Sequence, residues 1–244
     1  MRVGGCLLAL FIILSLQSHA WASENVRSFN LLTLSSQGVT ISHPAGNKNL
    51  HELLTAVGAY DDADRYKAAK RGTRFTVTLG GTEIALNDEG RKALLLSYEC
   101  GSHACGLALF DRKTLRSLGD FEGGDTVTIH FQELRKGSPK ICEKGCGGTP
   151  AVDCFPIYVT CYEYFGKIYQ RVSQGWYGPN SEDDSKTEWY RPGTQEVIRR
   201  VTKKVQSEPI SGTEIVVEEL RNGRLVTVSR SFQPHKGPSA GDKP

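Results

Sequence analysis

ALLLSYECGSHACGLALF, residues 93–110, places two apolar runs on either side of a short loop flanked by cysteines. The run Ala93–Tyr98 predicts a buried strand that leads directly into the loop, and Gly106–Phe110 predicts a strand that leaves it. We therefore expect the loop at the tip of a β-hairpin. Its six residues are Cys100, Gly101, Ser102, His103, Ala104 and Cys105.

A disulfide between Cys100 and Cys105 would fix the shape of this loop. A separation of five residues across a turn can bring two Cα atoms within the ~4.4–6.8 Å that a disulfide requires. Closing so small a ring stabilises the folded protein by only about 2 kcal/mol, because it restricts the unfolded chain little. We therefore expect the disulfide to fix the shape of the loop rather than to stabilise the whole domain. His103 would project between small neighbours, and a preorganised loop loses little entropy when it docks. We predict a slim protrusion that enters a concave partner, such as an active-site cleft; the alternative is a solvent-facing histidine without a role.

The N-terminus predicts export. Met1-Arg2 precedes an apolar run, Leu7–Leu16, and an Ala20-Trp21-Ala22 cleavage site, which together are typical of a secretory signal over residues 1–22. A buried N-terminal strand is the alternative. The run is shorter than the roughly 20 residues that span a bilayer, and no later stretch reaches that length. We expect a periplasmic or secreted protein without a transmembrane segment.

Removal of the signal leaves six cysteines, and an even number in an exported chain predicts three disulfides. Apart from the loop pair, the remaining four pair among themselves in one of three ways. These are Cys142, Cys146, Cys154 and Cys161. Neither of their spacings matches the paired C-x2-C knuckles of a zinc ribbon. We expect no metal and no other cofactor, with a zinc site as the alternative.

Charge and motifs exclude several function classes. The net charge is +3, and it falls to +2 once Arg2 is removed with the signal. No basic block with interleaved aromatics suggests nucleic acid. The chain lacks a Gly-x-Ser-x-Gly elbow, a phosphate-binding glycine loop and, beside His51-Glu52, the second histidine of a zinc protease. Oxidised cysteines leave no thiolate nucleophile. We therefore predict that the protein is not an enzyme, with a zinc-dependent or other enzyme as the third possibility.

Two short helices are predicted before the cysteine loop. Asn49 and Glu52 form a capping-box pattern at the start of the first, which Gly58 ends. The second covers Asp62–Lys70. From Arg74 onward the apolar residues alternate, which predicts a strand, and Gly80-Gly81 predicts a turn after it.

Further strands and one helix are predicted after the loop. Gly137–Pro156 lacks periodicity and predicts a loop stapled by cysteines. Thr194 can cap a helix that runs to about Gln206, with a strand as the alternative. Asn222-Gly223 predicts a type I′ hairpin turn. The strands are expected over Leu115–Phe121, Val127–Phe131, Ile157–Tyr164, Lys167–Val172, Glu214–Leu220 and Leu225–Phe232.

These elements predict an α+β fold, in which an antiparallel β-sheet carries short flanking helices, a disulfide-rich insertion and a C-terminal hairpin. We expect a polar N-terminal segment over 23–46 and a single domain over 47–233, with the insertion at 122–188. The tail, 234–244, is rich in Pro, Gly and Lys and is predicted to be disordered.

The cysteine loop resembles that of the inhibitor of vertebrate lysozyme family, the Ivy-type proteins of Gram-negative bacteria. The hallmark of that family is a Cys-Lys-Pro-His-Asp-Cys loop after a strand, and here Cys100-Gly-Ser-His103-Ala-Cys105 occupies the same place. Val77-Thr78-Leu79-Gly80 is similar to the family's upstream strand and turn, and two short helices precede it as in the family. The resemblance covers residues 50–121 and, with less similarity, 187–206, where Trp189 precedes the predicted helix.

The resemblance implies an Ivy-like core and inhibition by insertion of the His103 loop into the lysozyme cleft. Lysozyme acts through two carboxyl groups about 5 Å apart, to which an imidazole can hydrogen-bond. Near the ordinary histidine pKa of about 6.5, an imidazolium would add charge attraction.

The chain departs from the family in composition and length. Only Cys100, His103 and Cys105 correspond to the motif, since Gly101, Ser102 and Ala104 replace the family's Lys, Pro and Asp. The chain is also longer before Cys100 and before Trp189. We predict an exported inhibitor of lysozyme or a related muramidase. The alternative is a disulfide-stapled module that binds a non-lysozyme envelope partner through its Cys142–Cys161 loop.

Overall fold

The computed structural model describes residues 26–87, 90–101, 104–135, 138–146, 157–178, 184–206 and 211–235. These ranges hold three short helices, α1 (Leu31–Ser36), α2 (Lys48–Ala56) and α3 (Tyr60–Ala68). The strands are β1 (Val26–Asn30), β2 (Gly38–Pro44), β3 (Arg74–Ala85), β4 (Lys92–Tyr98), β5 (Cys105–Asp111), β6 (Ser117–Gly124), β7 (Thr126–Arg135), β8 (Ser138–Cys146), β9 (Ile157–Tyr164), β10 (Tyr169–Tyr177), β11 (Ser185–Tyr190), β12 (Val197–Gln206), β13 (Gly212–Arg221) and β14 (Arg224–Pro234).

The strands form two sheets, and all strand pairs among the described residues are antiparallel. A five-stranded sheet has the order β2-β3-β4-β5-β6, and a nine-stranded sheet has the order β1-β7-β8-β9-β10-β11-β12-β13-β14. Of the residues that the structure describes, 63% are in strands and 13% in helices. The prediction of an α+β fold is therefore wrong, and the protein is closer to an all-β fold.

The five-stranded sheet is covered on both faces. One face packs against the nine-stranded sheet and α1, in a cluster that includes Leu95, Leu107 and Val127. The other face packs against α2 and α3, in a cluster that includes Leu94 and Phe110. Because successive residues of a strand point to opposite faces, both clusters need apolar residues from β4. This explains its uninterrupted apolar run, Ala93–Leu96, every residue of which is at most 1% exposed.

Residues 26–44, expected as a polar segment ahead of the domain, contribute β1, α1 and β2. β1 pairs with β7 at one edge of the nine-stranded sheet, and β2 pairs with β3. The Asn30 side chain accepts a hydrogen bond from Thr33 N at 2.9 Å and so caps α1. Leu31 and Leu34 of α1 are fully buried or nearly so, which connects this segment to the main core.

Gly80-Gly81 lies inside β3, so the prediction of a turn there is wrong. Up to Gly80 the strand pairs with β2, and from Gly81 it pairs with β4. A Cβ at Gly80 would lie 2.4 Å from Ser35 O, and one at Gly81 would lie 2.4 Å from Leu95 O. The two glycines therefore allow a close backbone approach where the strand exchanges partners.

The two helices before the loop are confirmed, with shifted boundaries. α2 is capped by Asn47, whose side chain accepts from Asn49 N at 2.9 Å, so the cap is not Asn49. Leu50, Leu53 and Leu54 are fully buried, as the helical periodicity predicted. α3 begins at Tyr60, two residues before the predicted start.

Two later segments are strands rather than the predicted loop and helix. Ser138–Cys146 is β8, paired with β7 and β9. Val197–Gln206 is β12, paired with β11 and β13. Valines at intervals of four are equally on one face of a strand, and the flanking strands provide partners that no local pattern could reveal. Of the predicted loop 137–156, Gly137 and residues 147–156 lie outside the described residues.

The structure confirms the predicted C-terminal hairpin. β13 and β14 pair on either side of Asn222-Gly223, whose φ angles are 51° and 76°. Positive φ at both central residues is what a type I′ turn requires. β11–β14, which we call the arm, extends the nine-stranded sheet beyond the core. Every residue of β12 and β14 is half-buried or exposed.

Candidate functional site

The cysteine loop connects β4 and β5, as predicted. The Cys100–Cys105 disulfide is present, with Cα atoms 4.0 Å apart. Gly101 N donates a hydrogen bond to Ala104 O at 2.9 Å, so the backbone closes on itself inside the ring. Gly101 and Ala104 are exposed, whereas Cys105 is buried. Ser102 and His103 lie outside the described residues.

The entrance to the loop is fixed by local packing. Glu99, just before Cys100, has a φ of 46°, a left-handed conformation that is uncommon for a residue with a side chain. The ring of Tyr98 lies across Gly106, where a Cβ would come within 2.7 Å of it. Ser97 is buried and its hydroxyl donates to Leu31 O at 2.9 Å. The strand end is therefore attached to α1 and turned sharply into the ring.

A shallow cavity of about 130 Å³ lies beside the loop. Its lining combines the described loop residues Gly101 and Ala104 with Leu32, which is 58% exposed, and with Asp125. Leu31 N donates to Asp125 O at 2.8 Å, which holds α1 next to the β6–β7 connection. The loop is thus flanked by an exposed apolar side chain, which a protein partner could cover.

A buried carboxyl group lies behind the loop. Glu143 of β8 is fully buried and accepts three hydrogen bonds. Tyr162 Oη donates to Oε1 at 2.6 Å, Glu122 N to Oε1 at 3.1 Å, and Gly123 N to Oε2 at 2.9 Å. Because β6 belongs to the five-stranded sheet and β8 to the nine-stranded sheet, this carboxyl group connects the two sheets.

Burial is the largest influence on the ionisation of Glu143. It raises the pKa of this carboxyl to about 7, against the hydrogen bond from Tyr162 and those from the backbone, which favour the charged form. The neighbouring Glu122 carboxylate also raises the Glu143 pKa. Glu122 is itself held by Arg171, whose Nη1 lies 3.0 Å from Glu122 Oε1.

The Glu143 site touches the base of the cysteine loop through Gly123. Gly123 has a φ of +86°, and a Cβ there would lie 2.3 Å from Cys105 O. Cys105 is paired with Gly124 across β5 and β6, and the register shifts immediately after this pair. Gly123 therefore lies between the Glu143 carboxyl, to which its N–H donates, and Cys105, the second cysteine of the loop.

Sequence reasoning did not identify Glu143. A glutamate between Cys142 and Lys144 in a segment interpreted as a loop gives no sign of burial. Ile141 and Glu143 are two residues apart and so lie on the same face of a strand. This spacing becomes informative only once Ser138–Cys146 is known to be a strand with one face toward the core.

One disulfide among the later cysteines lies within the described residues, and it agrees with one of the three predicted pairings. Cys142 and Cys161 are bonded, with Cα atoms 4.0 Å apart. They are directly opposite in the β8–β9 register, so the bond joins adjacent strands. Cys146 is also disulfide-bonded, and Cys154 lies outside the described residues. Within the described ranges, no three His, Cys, Asp or Glu side chains are grouped closely enough to hold a metal ion.

Comparison with protein-family models, curated proteins and solved structures found no match to this chain. Among the described residues, no helix is long and apolar enough to cross a membrane.

Proposed function

We propose that this protein is an exported, non-enzymatic inhibitor that binds another protein with the Cys100–Cys105 loop, and that its target is lysozyme or a related muramidase. The observation that carries the proposal is the disulfide at the tip of the β4–β5 hairpin. Two disulfides between described cysteines support an oxidising compartment, the periplasm or the exterior.

The strands beneath the loop support a role in presentation. β4 and β5 are the central strands of a sheet that is covered on both faces, so the base of the loop moves little when a partner binds. The disulfide and the Gly101–Ala104 hydrogen bond restrict the ring before binding, which lowers the entropic cost of docking.

The choice of target rests on chemistry. His103 would meet two carboxyl groups in a lysozyme cleft, and a hydrogen bond to a charged group contributes about 1.5–3 kcal/mol. The cysteine and histidine positions of the loop resemble the Ivy-type motif, and this resemblance is the reason for naming lysozyme rather than another enzyme.

The test is a cell-wall lysis assay with c-type lysozyme and the mature, oxidised protein. We expect saturable inhibition, and we expect His103→Ala to weaken it about tenfold or more, since about 1.4 kcal/mol corresponds to a factor of ten. His130→Ala on β7 is the matched control and should retain full potency. Full potency in His103→Ala would reject the loop mechanism, and absence of inhibition by the unaltered protein would reject lysozyme as the target.

A second candidate is a disulfide-stapled binding module with a different envelope partner. The observation that favours it is the arm, whose strands lie largely outside the two core clusters. The Cys142–Cys161 bond joins the paired strands β8 and β9, and residues 147–156 between these strands lie outside the described residues. Recovery of an envelope protein on the immobilised chain, together with failure to inhibit lysozyme, would favour this candidate.

A further inference from the structure

A second cavity, of about 370 Å³, lies between the start of α2 and the end of α3, on the helical side of the five-stranded sheet. Its lining includes Lys48 and His51 from α2, Tyr66 and Lys67 from α3, and Arg71 from the turn before β3. The volume is in the range of about 300–1,000 Å³ that is usual for small-molecule sites. Three elements therefore contribute to one concave site that is open to solvent.

The charges around this cavity have one sign. Lys48, Lys67 and Arg71 are cationic, His51 offers a ring N–H, and the lining contains no carboxylate. Lys67 and Arg71 form no ion pair with any residue in the described ranges. Lys48 lies 3.5 Å from Glu52, but both side chains are more than 60% exposed, and such surface pairs are weak. All three cations are available to an anion.

Backbone hydrogen bonds join the segment before α2 to the turn before β3, the two segments that form opposite walls of the cavity. Ala45 N donates to Thr73 O at 2.7 Å, and Gly72 N donates to Ala45 O at 3.0 Å, which joins the two walls. Tyr66 is buried, and its hydroxyl accepts from Asn47 N at 2.7 Å. Tyr66 therefore forms part of the base of the cavity, and its hydroxyl is already hydrogen-bonded to the backbone of Asn47.

Gly46 positions one of the cations. It has a φ of +102°, and a Cβ there would lie 3.1 Å from Arg71 Cγ. The Arg71 side chain, from Cγ to Nε, thus lies against the glycine backbone, and Arg71 is part of the cavity lining. Arginine suits a phosphate group because its planar donors can bind two oxygens at once.

We propose that this cavity binds a small phosphorylated molecule about the size of a sugar phosphate. A dianionic phosphate group is attracted by the three positive charges of Lys48, Lys67 and Arg71. A concave site lined by one sign of charge concentrates oppositely charged ligands. The C–H face of the sugar ring would lie against Tyr66 and Ala69. This site is separate from the cysteine loop and does not depend on lysozyme inhibition.

The test is calorimetric titration of the mature protein at low salt with glucose 6-phosphate, inorganic phosphate and glucose. We expect saturable binding of glucose 6-phosphate, weaker binding of inorganic phosphate and none of glucose. Lys67→Glu and Arg71→Glu should each weaken binding of glucose 6-phosphate about tenfold or more, because each replaces an attractive charge by a repulsive one. Raising the ionic strength to ~1 M should also weaken it, since the Debye length falls to about 3 Å.

Arg224→Glu, at the exposed first residue of β14, is the matched charge reversal and should leave binding unchanged, as should His103→Ala. Absence of binding by both phosphorylated probes at millimolar concentration overturns the proposal. So does equal binding of glucose and glucose 6-phosphate, or an equal effect of Arg224→Glu and Lys67→Glu. Thermal unfolding of each variant confirms that the loss is not caused by misfolding.

Discussion

The hairpin β4–β5 and the arm are both antiparallel, yet different interactions stabilise them. In β4, every residue from Ala93 to Leu96 is at most 1% exposed, and packing on two faces provides the stability. In the arm, Arg200 lies between Glu188 and Glu218, at 2.8 and 3.4 Å. Cross-strand pairs contribute roughly 0.2–1 kcal/mol each, whereas burial of a large apolar side chain contributes about 1.5–3 kcal/mol. Strands of the same geometry are therefore stabilised more strongly in the β4–β5 hairpin than in the arm, and we expect the arm to unfold locally more easily.

The pKa values of buried glutamates also differ between the core and the arm. The pKa of Glu143, between the sheets, is raised because burial outweighs its hydrogen bonds. Burial also acts to raise the pKa of Glu188 in the arm, but the hydrogen bonds from Arg200 and Tyr190 and the nearby cations lower it overall. The stabilising contribution of Glu188 is present above its unfolded pKa and is lost in acid. The stabilising contribution of Glu143 has the opposite pH dependence: it is present in acid and is lost as the pH rises.

The largest expected effect concerns packing. Leu95→Ala should lower the free energy of unfolding by about 2–5 kcal/mol, because it leaves a cavity between the two sheets. The matched control is Val201→Ala on β12, where a half-buried side chain should cost about 1 kcal/mol or less. Urea unfolding followed by circular dichroism measures both. Equal losses would contradict the contrast between centre and arm.

The second prediction uses pH. The Glu143 carboxyl has a folded pKa of about 7, against 4.5 as its ordinary value, so the folded state holds a proton that the unfolded state has lost. The resulting stability is fully present below about pH 4.5 and is lost as the pH rises through 7, a change on the order of 3 kcal/mol at about 1.4 kcal/mol per pKa unit. Urea unfolding between pH 5 and 8 measures it.

Glu143→Gln should remove this pH dependence and lower stability at acidic pH, because its amide cannot accept from both Glu122 N and Gly123 N through the same two oxygens. Glu83→Gln is the control. The Arg112 hydrogen bond lowers the pKa of Glu83, so its contribution changes only in acid and the slope between pH 5 and 8 should persist. A slope that is unchanged in Glu143→Gln would exclude Glu143 as its source.

The smallest expected effect concerns the arm. Arg200→Met keeps most of the side-chain stem but removes its charge, and we expect a loss of about 1 kcal/mol, larger at low salt. Trp176 and Trp189 lie on β10 and β11, so tryptophan fluorescence reports on the start of the arm. Arg224→Met, at the exposed first residue of β14, should have no measurable effect. Identical fluorescence transitions for the unaltered protein and Arg200→Met would show that the ion pairs do not stabilise the arm.

Local sequence signals predicted the elements whose cause is local. Leu50, Leu53 and Leu54 identified α2 because their spacing matches a helix. The cap was misplaced by two residues because Asn47 and Asn49 are chemically equivalent candidates. Gly80-Gly81 was misinterpreted because glycine serves both turns and close backbone contacts, and only the position of Ser35 and Leu95 distinguishes them.

The candidate site divides in the same way. The Cys100–Cys105 bond could be predicted because both cysteines lie within one turn. The choice of Cys142 and Cys161 among three pairings could not, since it depends on the register of β8 and β9. Glu143 and the cationic cavity were missed because each combines residues from separate elements.

The sequence alone determined the disulfide-closed hairpin and the Asn222-Gly223 turn, because both arise from a few adjacent residues with restricted conformations. The tertiary structure alone decided that Val197–Gln206 is a strand and that Glu143 is buried between two sheets. The reason is physical: a strand gains its hydrogen bonds, and a buried carboxyl its donors, from residues distant in the chain. Their identity follows from how the sheets pack.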